Sequence, residues 1–192
     1  MCNAPFRDAI GKRPYRSSYK TSNVALAIST NDNPEIRECY SLLGTIHDPE
    51  IPVLSILDLG IVRDIELQSP LQKEGQVRVT ITSTYTGCPA MDTIAMLIRM
   101  ELLKKGYKKV EIMTAISPAW TTDWMSQEGK QKLKVYGIAP PDKRFEIPAD
   151  GIICPHCGSA HTRLLSEFGS TACKSLLQCN ECKEPFDYFK CH

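Results

Sequence analysis

The sequence predicts a protein of the α/β (α+β) class, in which a small two-layer sandwich with the element order α-β-β-α-β-α is followed by a small cysteine-rich module. Three observations lead to this prediction. Apolar residues recur with helical and strand periods between residues 31 and 137, prolines and mixed charge mark residues 138–150, and paired cysteines dominate residues 151–192. Helices packed on one face of a small sheet satisfy this element order.

Composition limits the functional classes. The chain has 192 residues, 42% of them hydrophobic, and a formal net charge of +1. This is enough for one core and a small appended module. The near-neutral charge gives no support for a nucleic-acid or membrane partner, and no apolar run reaches the ~18 residues of a membrane helix. Nine cysteines without a secretory signal indicate metal binding or thiol chemistry in a reducing cytoplasm.

Changes in composition along the chain divide it into four segments. Residues 1–30 show no usable period and are predicted to form a flexible N-terminal tail, with a weak organellar targeting segment as the alternative. Residues 31–137 form the α/β domain and residues 138–150 a linker containing three prolines. Residues 151–192 form the cysteine-rich module, because the composition changes sharply after the linker.

The first helix is expected to begin after Asn33, which suits the cap position, with Pro34 as its first residue. One face of this helix then carries Ile36, Tyr40 and Leu43. The segment DPEIPVLSILDLG follows, with two prolines and a final glycine, and predicts a loop. Two strands come next, joined by the hairpin loop SPLQKEG. Their alternating apolar sets are Ile61, Ile65 and Leu67, then Val77, Val79 and Ile81.

The second half of the domain is predicted from helical spacing and glycine stops. A second helix begins near Pro89 and ends at Gly106, which suits the C-terminal cap. A third strand contains Val110 and Ile112, and a third helix spans about Thr122 to Tyr136. The apolar face of the second helix carries Met91, Ile94, Ala95, Ile98 and Leu102.

Two Cys-x-x-Cys pairs, in CPHCGS and CNECKE, dominate the C-terminal module. Their four thiolates can complete a tetrahedron around one ion, so the module is predicted to be a zinc β-ribbon, with mononuclear iron as the alternative metal. About forty residues bury too little apolar surface to fold unaided, and the metal is expected to supply much of the stability. The predicted ligands are Cys154, Cys157, Cys179 and Cys182.

Cys88 lies between Gly87 and Pro89, at the start of the second helix. Free amide groups and the helix dipole there favour a thiolate, which binds metal or acts as a nucleophile. A cap cysteine without chemistry is the alternative. Glu50 and Asp58, in the preceding loop, are either turn-forming acids or oxygen ligands near an iron site. The sequence contains no Ser–His–Asp pattern, phosphate-binding loop or dinucleotide fingerprint, and no catalytic residue is predicted.

Three further residues are candidates for partner docking. Trp120 and Trp124 lie in one short stretch, SPAWTTDWM, and tryptophan is enriched at interface hot spots. Packing of both rings between helix and sheet is the alternative. Cys173 lies between the two cysteine pairs and is either a small buried apolar residue or a thiol that faces a partner or a cluster.

The segments DPEIPVLSILDLGIVRDIEL and ITSTYTGCPAMDTI resemble the SufT-like metal-sulfur cluster biosynthesis family. The resemblance implies that residues 31–137 are a SufT-like domain that acts in the maturation of iron–sulfur proteins. Cys88 occupies the position of the family's loop cysteine, and Glu50 and Asp58 lie in its other signature stretch. The implied cargo is a transient iron–sulfur cluster or iron.

The segments SPAWTTDWMSQEGKQKLKVYGIAPP, CPHCGS and FGSTACKSLLQC resemble the family of D components of the bacterial phenylacetyl-CoA epoxidase, over roughly residues 33–190. That resemblance implies an accessory role in phenylacetate degradation, beside a di-iron monooxygenase. The implied partners are the iron–sulfur flavin reductase and the di-iron subunit, with a homodimer also open.

The sequence is therefore consistent with three functional hypotheses. The leading hypothesis is a maturation factor for the iron–sulfur or di-iron centre of the epoxidase, with cargo at Cys88. The alternative is a non-catalytic scaffold or docking subunit of the oxygenase complex. A thiol enzyme that uses Cys88 as its nucleophile is the third hypothesis, and no general base is evident for it.

Overall fold

The computed structural model describes residues 33–67, 75–141 and 151–190. The predicted tail and residues 142–150 of the predicted linker lie outside the described residues. The elements are α1 (Pro34–Leu43), β1 (Val62–Leu67), β2 (Gln76–Ile81), α2 (Ala90–Lys105), β3 (Lys109–Thr114), a 3-10 turn (Thr122–Trp124), α3 (Gln127–Tyr136), β4 (Ile138–Ala139), β5 (Thr162–Ser166), β6 (Lys174–Cys179) and β7 (Pro185–Phe189).

The α/β class and the order α-β-β-α-β-α are confirmed. The first sheet has the strand order β1-β2-β3, with β1 and β2 antiparallel and β2 and β3 parallel. A parallel pair requires a long crossover, and α2 provides it between β2 and β3. Strand β2 is the centre of this sheet, and its apolar set Val77, Val79 and Ile81 is fully buried. The three residues of β2 that the alternation predicted to face the core are therefore buried in it.

The first two predicted helix starts depend on local chemistry, and the first is correct to the residue. The side chain of Asn33 accepts a hydrogen bond from the Glu35 N–H at 2.9 Å, and Pro34 is the first residue of α1. The second helix begins at Ala90 with Pro89 as its cap, one residue later than expected. It ends at Gly106, whose left-handed backbone (φ 109°) stops the helix without a side-chain clash.

The third helix was predicted as one segment from Thr122 to Tyr136, and this is wrong. The structure instead has the 3-10 turn followed by α3, because the backbone is extended at Met125 and Ser126. Ser126 is the N-cap of α3 and accepts a hydrogen bond from the Gly129 N–H at 2.8 Å. Met125 points into the core and is 1% exposed. A capping serine and a buried methionine together explain the break.

The second sheet has the strand order β4-β7-β6-β5. Strand β4 pairs in parallel with β7, at Asp187 and Tyr188. Ile138 and Ala139 were assigned by sequence to the linker, but they form this strand directly after Gly137, whose left-handed backbone (φ 92°) turns the chain out of α3. The chain thus enters the ribbon sheet as soon as α3 ends.

The ribbon and the α/β domain share a core. Ile138, Cys173 and Phe189 belong to the same buried cluster as the apolar residues of α1, α2 and the first sheet. Trp120 joins the two parts: its ring lies 6.2 Å from that of Phe189, and its Nε1–H donates to the Leu59 carbonyl at 2.9 Å. The ribbon is therefore packed against the α/β domain. Within the three described stretches, no helix is both long and apolar enough to cross a bilayer.

Candidate metal centres

The first centre is formed by the four ribbon cysteines. Their sulfur atoms all lie within 4.8 Å of one another. The Cys154 and Cys182 sulfurs are 3.8 Å apart, and those of Cys157 and Cys179 are 3.5 Å apart. Four thiolates at the usual zinc–sulfur distance of about 2.3 Å form a tetrahedron with edges of about 3.8 Å. The four residues thus fit one zinc ion.

The two cysteine pairs adopt the same turn. The Gly158 N–H donates to the Cys154 carbonyl at 2.9 Å, and the Lys183 N–H donates to the Cys179 carbonyl at 3.1 Å. Both donors have left-handed backbones, with φ of 78° and 67°. The two turns direct all four thiols to one point, and the apolar residues Ala139, Ile152, Leu177, Phe186 and Tyr188 form a second core around it.

The four thiols lie so close together that they cannot all ionise easily at the same time. Burial opposes ionisation of Cys179, but the N–H groups of Cys182 and Glu181 and the adjacent thiols outweigh it and lower the pKa to about 7. The Glu184 N–H favours the Cys182 thiolate, but burial and the other three cysteines raise its pKa to about 12. The positive charge of a divalent cation offsets this repulsion, so thiols that bind it are deprotonated outright. The chemistry of the four ribbon thiols therefore fits zinc, and so does their geometry.

The second centre surrounds Cys88, which is half-buried at the start of α2. Its sulfur accepts hydrogen bonds from the Ala90 N–H and from the Tyr85 hydroxyl. The sequence predicted that the helix start would favour a thiolate here. In the structure, burial and the nearby Glu50 and Asp48 outweigh these hydrogen bonds and raise the pKa of Cys88. Burial and these two carboxylates therefore oppose ionisation of the Cys88 thiol.

Glu50 reaches this centre from the loop before β1. The Asp48 carboxylate holds the loop in place by accepting the N–H groups of Glu50 and Ile51, each at 2.8 Å. Burial, followed by repulsion from Asp48, raises the pKa of Glu50, while Lys174 lowers it. The charge of Glu50 contributes to raising the pKa of Cys88, and a role for Glu50 as an oxygen ligand beside Cys88 stays a prediction. The Glu50 carboxylate thus lies close enough to the Cys88 thiol to influence its ionisation.

Asp58 was grouped with these two residues, but the structure gives it other contacts. One carboxylate oxygen accepts hydrogen bonds from Ser55 Oγ at 2.8 Å and Lys132 Nζ at 2.9 Å. The other accepts from Ser126 Oγ at 3.0 Å. Burial opposes its ionisation, but these donors lower the pKa of Asp58 below its ordinary value. Asp58 therefore fixes α3 to the loop, and its oxygens are engaged by protein donors.

Replacement of Asp58 by asparagine is expected to destabilise the protein by about 1–3 kcal/mol at neutral pH, because charge-assisted hydrogen bonds are lost. A lowered folded-state pKa contributes stability that is fully present above the ordinary aspartate value of about 3.9, and this stability is lost as the pH falls from there through the lower pKa of the folded state. The difference between wild type and Asp58→Asn should therefore shrink below about pH 4. Urea unfolding across pH measures it, with exposed Asp123→Asn as the control. A difference independent of pH would contradict this role.

The three residues assigned to partner docking have internal contacts. Trp120 is 4% exposed and joins the domain to the ribbon. Trp124 is half-buried, with the Arg63 guanidinium 3.6 Å above its ring centre. Cys173 is 4% exposed. The structure corrects the docking prediction for Trp120 and Cys173, because neither side chain is available at the surface.

Two residues of the second centre were missed by sequence reasoning. Tyr85 lies three residues before Cys88 in the same loop, and this spacing could have identified it. Lys174 is 3% exposed at the start of β6, with its Nζ 3.6 Å from Asp187 Oδ2. A buried lysine inside an apolar strand gives no sequence signal, because surface lysines are far more common.

The fold and the four ribbon cysteines define a two-part protein, a small α/β domain joined to a zinc ribbon. Family models identify both parts: residues 37–113 match "Iron-sulfur cluster assembly protein" and residues 139–190 match "PaaD zinc beta ribbon domain". The chain belongs to the family of an Escherichia coli (strain K12) protein that is named as the D component of a "Putative 1,2-phenylacetyl-CoA epoxidase". The two are 45% identical over 167 residues, which cover 85% of this chain and 98% of that protein.

Other relatives match the first domain. A "Fe-S protein maturation auxiliary factor" from Porphyromonas gingivalis (strain ATCC BAA-308 / W83) is 39% identical over 93 residues, which cover 48% of this chain and 84% of the relative. A crystal structure titled "Domain of Unknown Function DUF59" from Bacillus anthracis is 25% identical, with a TM-score of 0.46, and the match covers 51% of this chain and 90% of that chain.

Proposed function

We propose that this chain is a maturation factor that delivers iron or an iron–sulfur cluster to the phenylacetyl-CoA epoxidase system. The observation that supports the proposal best is the environment of Cys88. Its thiol is half-buried, accepts hydrogen bonds from the Ala90 N–H and the Tyr85 hydroxyl, and interacts with the Glu50 carboxylate. These are groups that can hold a metal, and the family membership supports the same function.

The contrast between the two centres supports a carrier. Four thiols surround one point in the ribbon, and such a closed set holds its zinc permanently. Cys88 has a smaller ligand set, and burial raises its pKa, so cargo binding must displace a proton. A weaker, partly open site suits a cargo that must be released to another protein. The client is proposed to be the iron–sulfur flavin reductase or the di-iron subunit, in the cytoplasm.

A docking component of the same complex is the second candidate, and one surface favours it. Strand β5 is an edge strand of the ribbon sheet, and three large apolar side chains on and beside it are exposed: Leu164, Leu165 and Phe168. This candidate predicts co-purification with the epoxidase components in fixed ratio. A thiol enzyme is disfavoured, since the charged groups that act on Cys88 are acids that oppose its ionisation.

Cys88→Ser tests the maturation role in cells that also make the reductase and the di-iron subunit. We expect the iron and sulfide content of the purified client to fall to the level in cells that lack this chain. Cys39→Ser is the matched control, because Cys39 is also a buried thiol with a tyrosine partner, Tyr107, and lies in α1. Zinc content confirms that both variants keep a folded ribbon. Full metal content in the client of Cys88→Ser would refute the maturation role.

A further inference from the structure

Strand β5 (Thr162–Ser166) is the outer strand of the ribbon sheet and pairs with β6 on one side. Among the described residues, no strand pairs with its other side. An unpaired edge presents a row of backbone N–H and C=O groups that can pair with a further strand. Native proteins often protect such an edge with prolines or lysines, and the sequence of β5, TRLLS, contains neither. The outer edge of β5 is therefore open to another strand.

An apolar row crosses the ribbon sheet and ends at this edge. Phe186 of β7 lies opposite Leu177 of β6, and Leu177 lies opposite Leu164 of β5. Residues directly opposite each other in paired strands share one face of the sheet. Phe186 and Leu177 are 4% and 0% exposed, whereas Leu164 is 42% exposed because no further strand covers it. A strand added beside β5 would continue the row and bury Leu164.

A bulge adds a second leucine to the same edge. The pairing of β5 with β6 shifts between Leu164 and Ser166, so Leu165 is an extra residue without a partner of its own in β6. Leu165 is 47% exposed, and Phe168, two residues beyond the strand, is 66% exposed. Exposed apolar side chains that lie together in this way mark a contact surface more often than scattered ones do.

The charges beside this edge are complementary to themselves. Arg163 and Glu167 lie two residues before and two residues after Leu165, and both are exposed. The Arg163 guanidinium donates to Gln178 Oε1 at 2.7 Å and 3.2 Å and has no acidic partner within the described residues. The Glu167 carboxylate makes no hydrogen bond or ion pair in that part of the chain either, since only its backbone carbonyl is engaged. A second copy of the chain can supply the opposite charge to both residues.

We propose that β5 pairs with β5 of a second copy of this chain, antiparallel and about a twofold axis at Leu165, so that two ribbon sheets join into one. In antiparallel strands, positions equally far from the axis on its two sides lie opposite one another. Arg163 of each copy therefore lies opposite Glu167 of the other, and the two Leu165 side chains meet at the axis. A twofold contact is closed, so association stops at the dimer. The dimer does not depend on the cargo proposed for Cys88.

The charges favour a second copy over another component of the epoxidase system as the occupant of this edge. Any other strand would need an acid opposite Arg163 and a base opposite Glu167, and β5 itself offers that pair in the required reversed order. The contact is smaller than a standard interface of about 1,600 Å², because one strand and its flanking residues form it. The dimer is therefore expected to be reversible and to depend on protein concentration.

Charge reversal, measured by analytical ultracentrifugation of the zinc-loaded full-length protein, tests both the dimer and its register. Wild type should pass from monomer to dimer between micromolar and near-millimolar concentration. In Arg163→Glu and in Glu167→Arg, two attractive pairs become repulsive, so each variant should dimerise at least ~10-fold more weakly. An equimolar mixture of the two variants restores both pairs and should dimerise as wild type does. Asp123→Arg, which reverses an exposed charge in the α/β domain, is the control and should not weaken the dimer.

Wild type that stays monomeric over the whole range would overturn the proposal, and so would single variants that dimerise as tightly as Asp123→Arg. A mixture no tighter than its two components would also overturn it, because the pairs between Arg163 and Glu167 would then be absent. If a reversed variant does not fold, amide hydrogen exchange of the wild type decides. Slower exchange in β5 at high concentration than at low concentration supports the pairing, and equal exchange overturns it.

Discussion

Loss of zinc from the ribbon is expected to unfold residues 151–190 and to expose Trp120. Structural zinc sites supply roughly 10–16 kcal/mol of apparent binding free energy at neutral pH, more than a small domain's entire stability. The ribbon's second core consists of a few apolar residues around the four cysteines and cannot compensate. Cys179→Ser removes a fully buried ligand and should prevent zinc binding. Because Trp120 packs against Phe189 of β7, its fluorescence should shift toward that of a solvated indole.

The matched control for this experiment is Cys39→Ser, which changes a buried cysteine outside the ribbon and should retain zinc. Far-ultraviolet circular dichroism should show that α1 and α2 survive in Cys179→Ser, since their own buried faces lie within the α/β domain. A Cys179→Ser protein with native ribbon structure and native Trp120 emission would refute the view that the metal stabilises this module.

Gly60→Ala is expected to destabilise the α/β domain by about 2–5 kcal/mol. Gly60 has a left-handed backbone (φ 68°), which costs a residue with a side chain roughly 1–2 kcal/mol. An added Cβ would also lie 2.3 Å from the Trp124 carbonyl oxygen, and overpacking of this kind costs about 1–3 kcal/mol. The clash involves backbone, so rotation of a side chain cannot relieve it. Urea or thermal unfolding measures the loss.

Gly87→Ala provides the control for this substitution. Gly87 also has a left-handed backbone (φ 81°), but an added Cβ there meets no atom within 4 Å. Only the conformational part of the cost, about 1–2 kcal/mol, should then appear. The difference between the two variants isolates the close approach of Trp124 to the loop before β1. Equal losses of stability would contradict that contact.

Local chemistry accounts for what the sequence could predict. The Asn33–Pro34 start of α1, the glycine end of α2 and the alternation of β2 depend on neighbouring residues, and the structure agrees with them. The paired cysteines of the ribbon belong to this group as well, because short spacing brings two thiols to one side of an ion. Such features require no knowledge of how distant segments pack.

Long-range packing accounts for what the sequence could not predict. Asp58 lies in the same loop as Glu50, but contacts with Ser126 and Lys132 direct it to α3. Helical spacing between Thr122 and Tyr136 could not reveal that Met125 would leave the helix for the core. Cys173 meets Glu50 only through the packing of the two modules. Sequence spacing contains no information about such contacts across the fold.

The central claim, that Cys88 holds an iron cargo, is tested most directly by the metal content of the protein itself. The chain is purified anaerobically, loaded with ferrous iron and sulfide, and analysed for zinc and iron per chain beside Cys88→Ser. We predict about one zinc in both proteins, and iron that is present in wild type and lost in Cys88→Ser. One zinc with no iron in the loaded wild type, or equal iron in both proteins, would contradict the claim.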